Sequence, residues 1–246
     1  MRTPDRRRTE LNEVRWWSEW ARLRWHGKGY LLTSDTLKEP FFNRAGALTC
    51  GAARSTATWA EGALRPSGID STVLVFDSCP AAKGLLALGY RQTDTMTVLL
   101  STAPVKEGKA ELEVGPSTDP NSWAIAYLRS FYGDETLAGV VRPIISSLQD
   151  SRAVTLLEAR GSEGMAGVLA LFRTQGIAGA YCVGTVPEFR RMGVATALLA
   201  RAGQIASEEG RSLILQTLSS DGVLQFYLRR GFVAMYSKKV LTRKLK

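Results

Sequence analysis

Apolar and polar positions alternate differently in the two parts of this chain. In the first hundred residues, Thr9 to Gly27 (TELNEVRWWSEWARLRWHG) spreads charges around an aromatic set. The spacing predicts one helix, capped by Thr9 and stopped by Gly27. Its Trp16, Trp17, Trp20 and Trp25 suit a helix docked on a core by large rings, in preference to a membrane-surface helix or an aromatic ligand wall. Ser71 to Phe76 (STVLVF) reads as a strand, Pro80 to Gly89 as a short helix with Pro at its start and Gly at its stop, and Thr95 to Leu100 as a strand. Residues 101–121 carry Pro104, Gly108, Gly115, Pro116 and Pro120 among charges, the composition of a linker. Within them, ELEV at 111–114 is the candidate first strand of a second unit.

From Asn121 the pattern becomes an α/β alternation. Helices are predicted over Ser122 to Tyr132 and Glu135 to Leu148, the second kinked or split at Pro143. Strands follow at Ala153 to Ala159, Met165 to Arg173 and Ile177 to Val186. Arg191 to Glu209 is strongly amphipathic, with Val194, Leu198, Ala202, Ile205 and Ala206 on one face and Gly210 at its end. A short strand (Leu213 to Gln216), a short helix (Gly222 to Arg230) and a last strand (Phe232 to Leu241) complete the chain. The division expected is 1–105, a smaller α/β region, and 106–246, a mixed α/β domain.

Composition changes this picture little. The 246 residues are 45% hydrophobic and 22% charged, ordinary for a globular chain, and hold no apolar run long enough to cross a bilayer. Four arginines in the first eight residues precede no apolar signal-peptide core, so a cytoplasmic protein without a membrane partner is expected. Cys50, Cys79 and Cys182 form no CxxC pair or disulfide framework, and His26 is the single histidine, so neither a metal site nor a Ser/His/Asp triad is expected. The net charge of +9 sits at the ends: +4 within residues 1–28 and +5 within 238–246, with the stretch between neutral. Solvated tails account for that better than a nucleic-acid face, and nucleic acid is not an expected partner.

The informative segment runs from Val183 to Thr196 (VGTVPEFRRMGVAT). A strand ends at Val186, Pro187 stops it, and a helix begins near Arg191. The first turn of a helix has backbone N–H groups without internal partners, at the positive end of the helix dipole. Gly193 and Ala195 let an anion approach the backbone, and Arg190 and Arg191 add charge. The (R/Q)-x-x-G-x-(G/A) spacing alone is weak evidence, because it recurs at Arg173 to Ala178. That copy lies between two strands and lacks a helix N-terminus.

The stretch TVPEFRRMGVATALL resembles the acyl-CoA-binding motif of the GNAT superfamily of N-acyltransferases. The later YLRRGF, within Phe226 to Phe232, is similar to that superfamily's Y-x-x-x-G-F segment. Thr196 and Tyr227 lie 31 positions apart, with a helix and a strand between them as the family requires. The resemblance covers about residues 110–246. Leu85 to Leu100 is faintly similar to the end of a GNAT domain, which makes the first half a degenerate GNAT-like unit. The resemblance implies a mixed, mostly antiparallel twisted sheet flanked by helices. It implies acetyl-CoA as co-substrate, with no metal. Val183, Gly184 and Thr185 would offer backbone groups to the pantetheine amides, and Arg190, Arg191, Met192, Gly193, Val194, Ala195 and Thr196 would hold the pyrophosphate. Ser220 stands where many members place an Asn against the pantetheine.

In that family frame Tyr227 is the general acid. A phenol of ordinary pKa near 10 can protonate a thiolate whose conjugate acid lies near 8.5. The strand before the turn, IAGAYCVGTV, contains no carboxylate, which leaves Glu158 and Asp221 as weak candidates for a base, or water, or an amine of low pKa. Cys182 reads as a core residue, since direct transfer needs no acyl-enzyme. The expected reaction is acetyl transfer to a primary amine on a small molecule or peptide, with a non-catalytic acyl-CoA sensor as the alternative. A homodimer is compatible with the sequence.

Overall fold

The computed structural model describes residues 4–103, 105 and 112–245. In chain order its elements are α1 (Arg6–Ser18), β1 (Arg22–His26), β2 (Gly29–Thr33), β3 (Arg44–Ala47), α2 (Ala53–Leu64), β4 (Ser71–Phe76), α3 (Ala81–Ala87), β5 (Arg91–Ser101), β6 (Glu113–Pro116), α4 (Pro120–Phe131), α5 (Ala138–Gln149), β7 (Val154–Gly161), β8 (Gly164–Thr174), β9 (Ile177–Thr185), α6 (Val194–Glu208), β10 (Ser212–Leu218), α7 (Leu224–Leu228) and β11 (Phe232–Arg243). They divide into two compact units. One, here the N-unit, gathers Glu13–Leu99, Gln216–Phe226 and Ala234–Lys246; the other, the C-unit, gathers Met1–Asn12, Leu100–Leu215 and Tyr227–Val233. The change at Leu99/Leu100 lies close to the sequence boundary at 105/106, but the chain also changes unit at four other points.

The N-unit sheet has the order β1-β2-β3-β4-β11-β5, and the C-unit sheet β10-β9-β8-β7-β6. In the N-unit β1/β2, β2/β3 and β4/β11 are antiparallel and β3/β4 is parallel. In the C-unit β6/β7, β7/β8 and β8/β9 are antiparallel and β9/β10 is parallel. Both units are therefore mixed, mostly antiparallel α/β sheets, the class expected. The same series occurs twice: three antiparallel strands, a helix, a strand parallel to the third, a short helix and a last strand. It runs β1-β2-β3-α2-β4-α3-β5 and again β7-β8-β9-α6-β10-α7-β11. In each, the long helix presses on a glycine of the middle strand. A Cβ at Gly29 would fall 2.0 Å from Thr56 Oγ1 of α2, and one at Gly167 2.5 Å from Val194 Cγ1 of α6.

Several expectations need correction. The helix expected over 9–27 ends at Ser18, and residues 22–26 form β1, paired to β2 around the two-residue turn Gly27-Lys28, with Gly27 at φ 56°. Gly27 is thus a hairpin residue and not a helix stop. Trp16, Trp17 and Trp20 are buried, and Trp17 packs edge-on against Trp16, Phe41 and Phe42, whereas Trp25 lies on the edge strand β1 and is 46% exposed. β2, β3 and α2 were not read from the sequence. Their apolar runs (YLL, AGA) are short and Gly-punctuated, so no period emerges. Helix α5 continues through Pro143 without a break. Pro143 and Gly139, whose carbonyl loses its helical donor, both face solvent, where water replaces the bond. Strand β6 begins at Glu113, while the start of the ELEV run at Glu111 and linker residues 104 and 106–110 lie outside the described residues.

The C-terminal basic stretch is not a solvated tail. Residues 238–243 pair antiparallel with Phe76–Ser71, which makes β4 an interior strand and explains why STVLVF is buried throughout. Lys239 pairs with Asp77 at 3.3 Å and Arg243 with Glu61 at 3.1 Å. Lys238 is buried. Its ammonium donates to Glu13 of α1 at 2.5 Å, and the other oxygen of Glu13 accepts from Arg44 of β3 at 2.9 Å. The Arg44 guanidinium lies over the Phe41 ring, 4.1 Å from its centroid. All three charged groups are at most 2% exposed. Burial pushes the Glu13 carboxyl up, but the Lys238 ammonium and Arg44 guanidinium outweigh it and hold it below the usual carboxylate range. Removing the carboxylate strands two buried cations, so Glu13→Ala is expected to lower stability by about 3–5 kcal/mol in urea unfolding. Because the folded-state pKa is depressed, the carboxylate contribution is complete above the ordinary carboxylate range. It is lost as pH falls through the folded pKa, and Glu13→Gln is expected to flatten that part of the stability profile.

Candidate functional site

The site is built on the C-terminal end of β9. Before it, Asn12 of α1 fixes the neighbouring strands: its amide donates to the Phe172 carbonyl at 3.3 Å and to Thr174 Oγ1 at 2.9 Å, and its carbonyl accepts from the Tyr181 hydroxyl at 2.7 Å. The parallel ladder of β9 with β10 ends at Gly179 opposite Ile214, although β9 continues to Thr185. Val168 faces Gly184 and Ala170 faces Tyr181, so Leu169 alone opposes both Cys182 and Val183. That is a β-bulge, and Cys182 takes it up with φ 52°. Val183, Gly184 and Thr185 thus lie beyond the last β10 partner, on a strand bent by its own extra residue. Cys182 is half-buried as a residue, and desolvation pushes its thiol well above its usual pKa, which does not suit a nucleophile.

After β9 the chain makes a short 3₁₀ turn, Pro187–Phe189, before α6. The helix begins at Val194, three residues later than the sequence pattern suggests. Arg191 (φ 69°) and Gly193 (φ 85°) are both left-handed and cannot belong to it. Two left-handed residues bracketing Met192 curl the backbone into a concavity of the kind that presents N–H groups to anions. The first bond of α6 runs from Ala197 N–H to the Gly193 carbonyl at 3.0 Å. The amides of Val194, Ala195 and Thr196 meet no backbone acceptor among the described residues. The turn is tied to the end of α4: Arg190 Nη2 donates to the Ser130 carbonyl at 3.2 Å, and Arg129 pairs with Glu188 at 2.5 Å. Arg191 and Met192 are exposed. A cleft of about 300 Å³ between α4 and this turn is lined by Ser122, Ile125, Arg129, Met165 and Phe189 among others.

Tyr227 belongs to the same unit, 8% exposed, with its ring 5.9 Å from that of Phe232. The residue that joins it to the turn escaped sequence reasoning. Arg230 N–H donates to the Tyr227 carbonyl at 2.9 Å, and Arg230 Nε–H donates to Thr196 Oγ1 at 2.7 Å. Burial, with Arg229 adjacent, lowers the Arg230 guanidinium below its usual pKa. A bond accepted from Arg230 also leaves the single Thr196 hydroxyl proton to donate elsewhere. The signal was present as a second arginine just before Gly231, but its direction was not readable from spacing.

Other expected residues have different surroundings. Ser220 belongs to the N-unit, where its hydroxyl donates to Asp94 at 2.5 Å. Glu158 on β7 accepts from the Ser117 hydroxyl and from Arg160 Nε. Asp221, also in the N-unit, accepts from the Leu218 amide at 2.9 Å and Thr217 Oγ1 at 3.2 Å. Both carboxylates considered as bases are thus engaged in local bonds. No group of three or more His, Cys, Asp or Glu side chains among the described residues is placed to hold a metal ion.

Residues 150–234, which contain β7 to α7, match the model of the acetyltransferase (GNAT) domain. These residues form a GNAT acetyltransferase domain. Solved structures similar to the whole chain include a GCN5-related N-acetyltransferase from Kribbella flavida, at 17% identity and TM-score 0.72, covering 98% of this chain and 96% of that one. A GCN5-related N-acetyltransferase from Sphaerobacter thermophilus matches at 15% identity and TM-score 0.67, covering 93% and 84%. A tandem GNAT protein from the clavulanic acid biosynthesis pathway matches at 14% identity and TM-score 0.62, covering 89% and 82%. At these identities the likeness is one of fold, and it extends over the N-unit as well as the GNAT domain. The sequence finds no match among curated proteins. With CoA as the diphosphate-bearing probe, Arg230→Met is expected to weaken binding about tenfold in isothermal titration, the loss of one charge-assisted contact.

Proposed function

We propose that this GNAT protein transfers an acetyl group from acetyl-CoA to a primary amine, on a small molecule or peptide, by direct attack with both substrates bound. The observation that carries the reading is the Arg230 bridge. It ties the turn that begins at Tyr227 to the start of α6 within the C-unit. The residues fit the cofactor's diphosphate: unpartnered amides at Val194 to Thr196, a left-handed concavity from Arg191 to Gly193, and cationic side chains at Arg190, Arg191 and Arg230. The edge of β9 at Val183, Gly184 and Thr185 supplies the backbone groups that a pantetheine amide arm pairs with.

Acetyl-CoA supplies the activated carbonyl: the amine nitrogen bonds to it while the C–S bond breaks and its electron pair leaves on sulfur. Tyr227 donates its phenolic proton to that sulfur, and the proton lost by the new amide nitrogen passes to water and returns the balance to the phenol. The reaction needs a neutral amine, and with Glu158 and Asp221 held in local bonds, an acceptor of low pKa or a water relay fills the role of base. The bulge at Cys182 and the α4 end hold β9 in position, an arrangement compatible with substrates oriented for direct attack.

With a competent amine, Tyr227→Phe is expected to lower kcat by about 10²–10⁴-fold while the KM for acetyl-CoA changes little. Full turnover in that variant, followed as free thiol released, would remove Tyr227 as the acid. An absence of amine-dependent thiol release across a broad amine panel would overturn the transferase reading.

A further inference from the structure

We propose that the cleft beside α4 is a binding site for a free amino acid with an apolar side chain. The inference stands on the geometry of the C-unit and not on the acyl-CoA reading. The cleft measures about 300 Å³, the lower end of the range for small-molecule sites. Its apolar lining comes from Ile125 of α4, Met165 of β8, and Val186 and Phe189 of the segment that follows β9. Val186 is buried, and its amide donates to the Ala166 carbonyl at 3.0 Å. The segment is also tied to α4, through Glu188 to Arg129 and through Arg190 to the Ser130 carbonyl, so these walls keep their shape without a ligand.

Two opposite charges line this cleft without meeting. Arg142 belongs to α5, and Glu163 to the two-residue turn that closes β7 on β8 between Gly161 and Gly164. Both are exposed, and neither side chain has a hydrogen-bond or ion-pair partner among the described residues. The other charged and hydroxyl groups of the lining are engaged. Arg129 pairs with Glu188 at 2.5 Å, and the Ser122 hydroxyl donates to Asp119 at 2.5 Å. The first amides of α4, at Asn121 and Ser122, donate to the same Asp119 carboxylate at 3.0 and 3.1 Å, so the start of α4 is already capped. A carboxylate in the cleft therefore has the Arg142 guanidinium as its charged partner, and an ammonium has Glu163. A ligand with one charge satisfies one of them. A zwitterion satisfies both while its side chain covers the apolar lining. The cleft is also separate from the edge of β9 that suits pantetheine. Val183 to Thr185 lie beyond the last β10 partner of β9, whereas Met165, Glu163 and Arg142 border the cleft from β8, its turn and α5, on the other side of that strand.

Isothermal titration of the full chain with L-leucine, L-methionine and L-phenylalanine tests the site. At least one is expected to bind with a Kd of about 1 mM or lower. Its amide, its deaminated acid and glycine lack the carboxylate, the ammonium and the side chain in turn, and each should bind about tenfold more weakly or worse. Arg142→Gln and Glu163→Gln each remove one charge from the surface. Each is expected to weaken the amino acid about tenfold while the Kd of free CoA stays within about threefold, with circular-dichroism melting confirming the fold. Saturating CoA should leave the amino-acid affinity unchanged. No binding of any of the three at about 10 mM, analogues that bind as well as the parent, or an affinity unmoved in either variant overturns the proposal. Displacement by CoA assigns the cleft to the cofactor and overturns it too. None of these readouts needs acetyl transfer, so failure of the transferase reading and failure of this site are told apart.

Discussion

The late start of α6 governs the site. A helix that began at Arg191, as the apolar period suggests, would carry its free amides three residues earlier, and Gly193 would sit inside its first turn. Instead Arg191 and Gly193 are left-handed and the amides open at Val194. For Gly193 that conformation is inexpensive; for Arg191 it costs about 1–2 kcal/mol. Such strain persists only where the surroundings over-determine it. Here α6 is pinned onto Gly167 of β8 by Val194 and Leu198, the preceding turn is tied to α4 through Arg190, and Thr196 is tied to Arg230. With rigid packing on one side and amides that meet no backbone acceptor on the other, the turn keeps its shape without help from a ligand.

The last strand begins in one unit and continues in the other. β11 starts at Phe232, at the end of the Tyr227 segment, and from Ala234 belongs to the N-unit, where it lies between β4 and β5. Its Lys238 closes the buried group with Glu13 and Arg44. A buried ion group is weak evidence for stability by itself, since a well-packed apolar set of the same volume serves as well. Its value is in register. A slip of one residue turns Lys238 to the other face of β11 and leaves Glu13 and Arg44 short of a partner, so only one alignment of β11 on β4 satisfies all three charges.

How much of this was legible in the sequence depends on the length scale of each signal. Long periodic elements were read closely: β7, β8, β9 and α6 each show enough turns or alternations to declare a period. The turn at Arg190 to Thr196 was legible because its residue types and its strand-then-helix context agree. What failed was short or context-bound. The β1–β2 hairpin was absorbed into a helix because four tryptophans and mixed charges fit either period, and only the Gly27 backbone decides. The charges of residues 238–246 read as a tail because composition cannot show that a strand from one series completes the sheet of the other. Arg230 carries no motif at all. Arg230 reaches Thr196 across 34 positions of sequence, a bond that no spacing announces.

The doubled series also shows how the helix start differs between the two units. The strand-to-helix connection in the C-unit runs from Val186 to Gly193 and contains two left-handed residues and two arginines. Its counterpart between β3 and α2 is only residues 48–52, with no positive φ among them and no cationic side chain. It passes directly into the helix through a 3₁₀ turn, and the Ala53 amide is already bonded to the Cys50 carbonyl. The Thr56 hydroxyl, which stands near the start of α2 as Thr196 does in α6, donates to the Ala52 carbonyl at 2.7 Å. A donor satisfied by its own backbone has nothing to offer a phosphate. The difference between the two series is therefore three residues of connection and where one threonine proton goes. Those leave the start of α6 open and the start of α2 closed, while the sheet beneath keeps the same strand order.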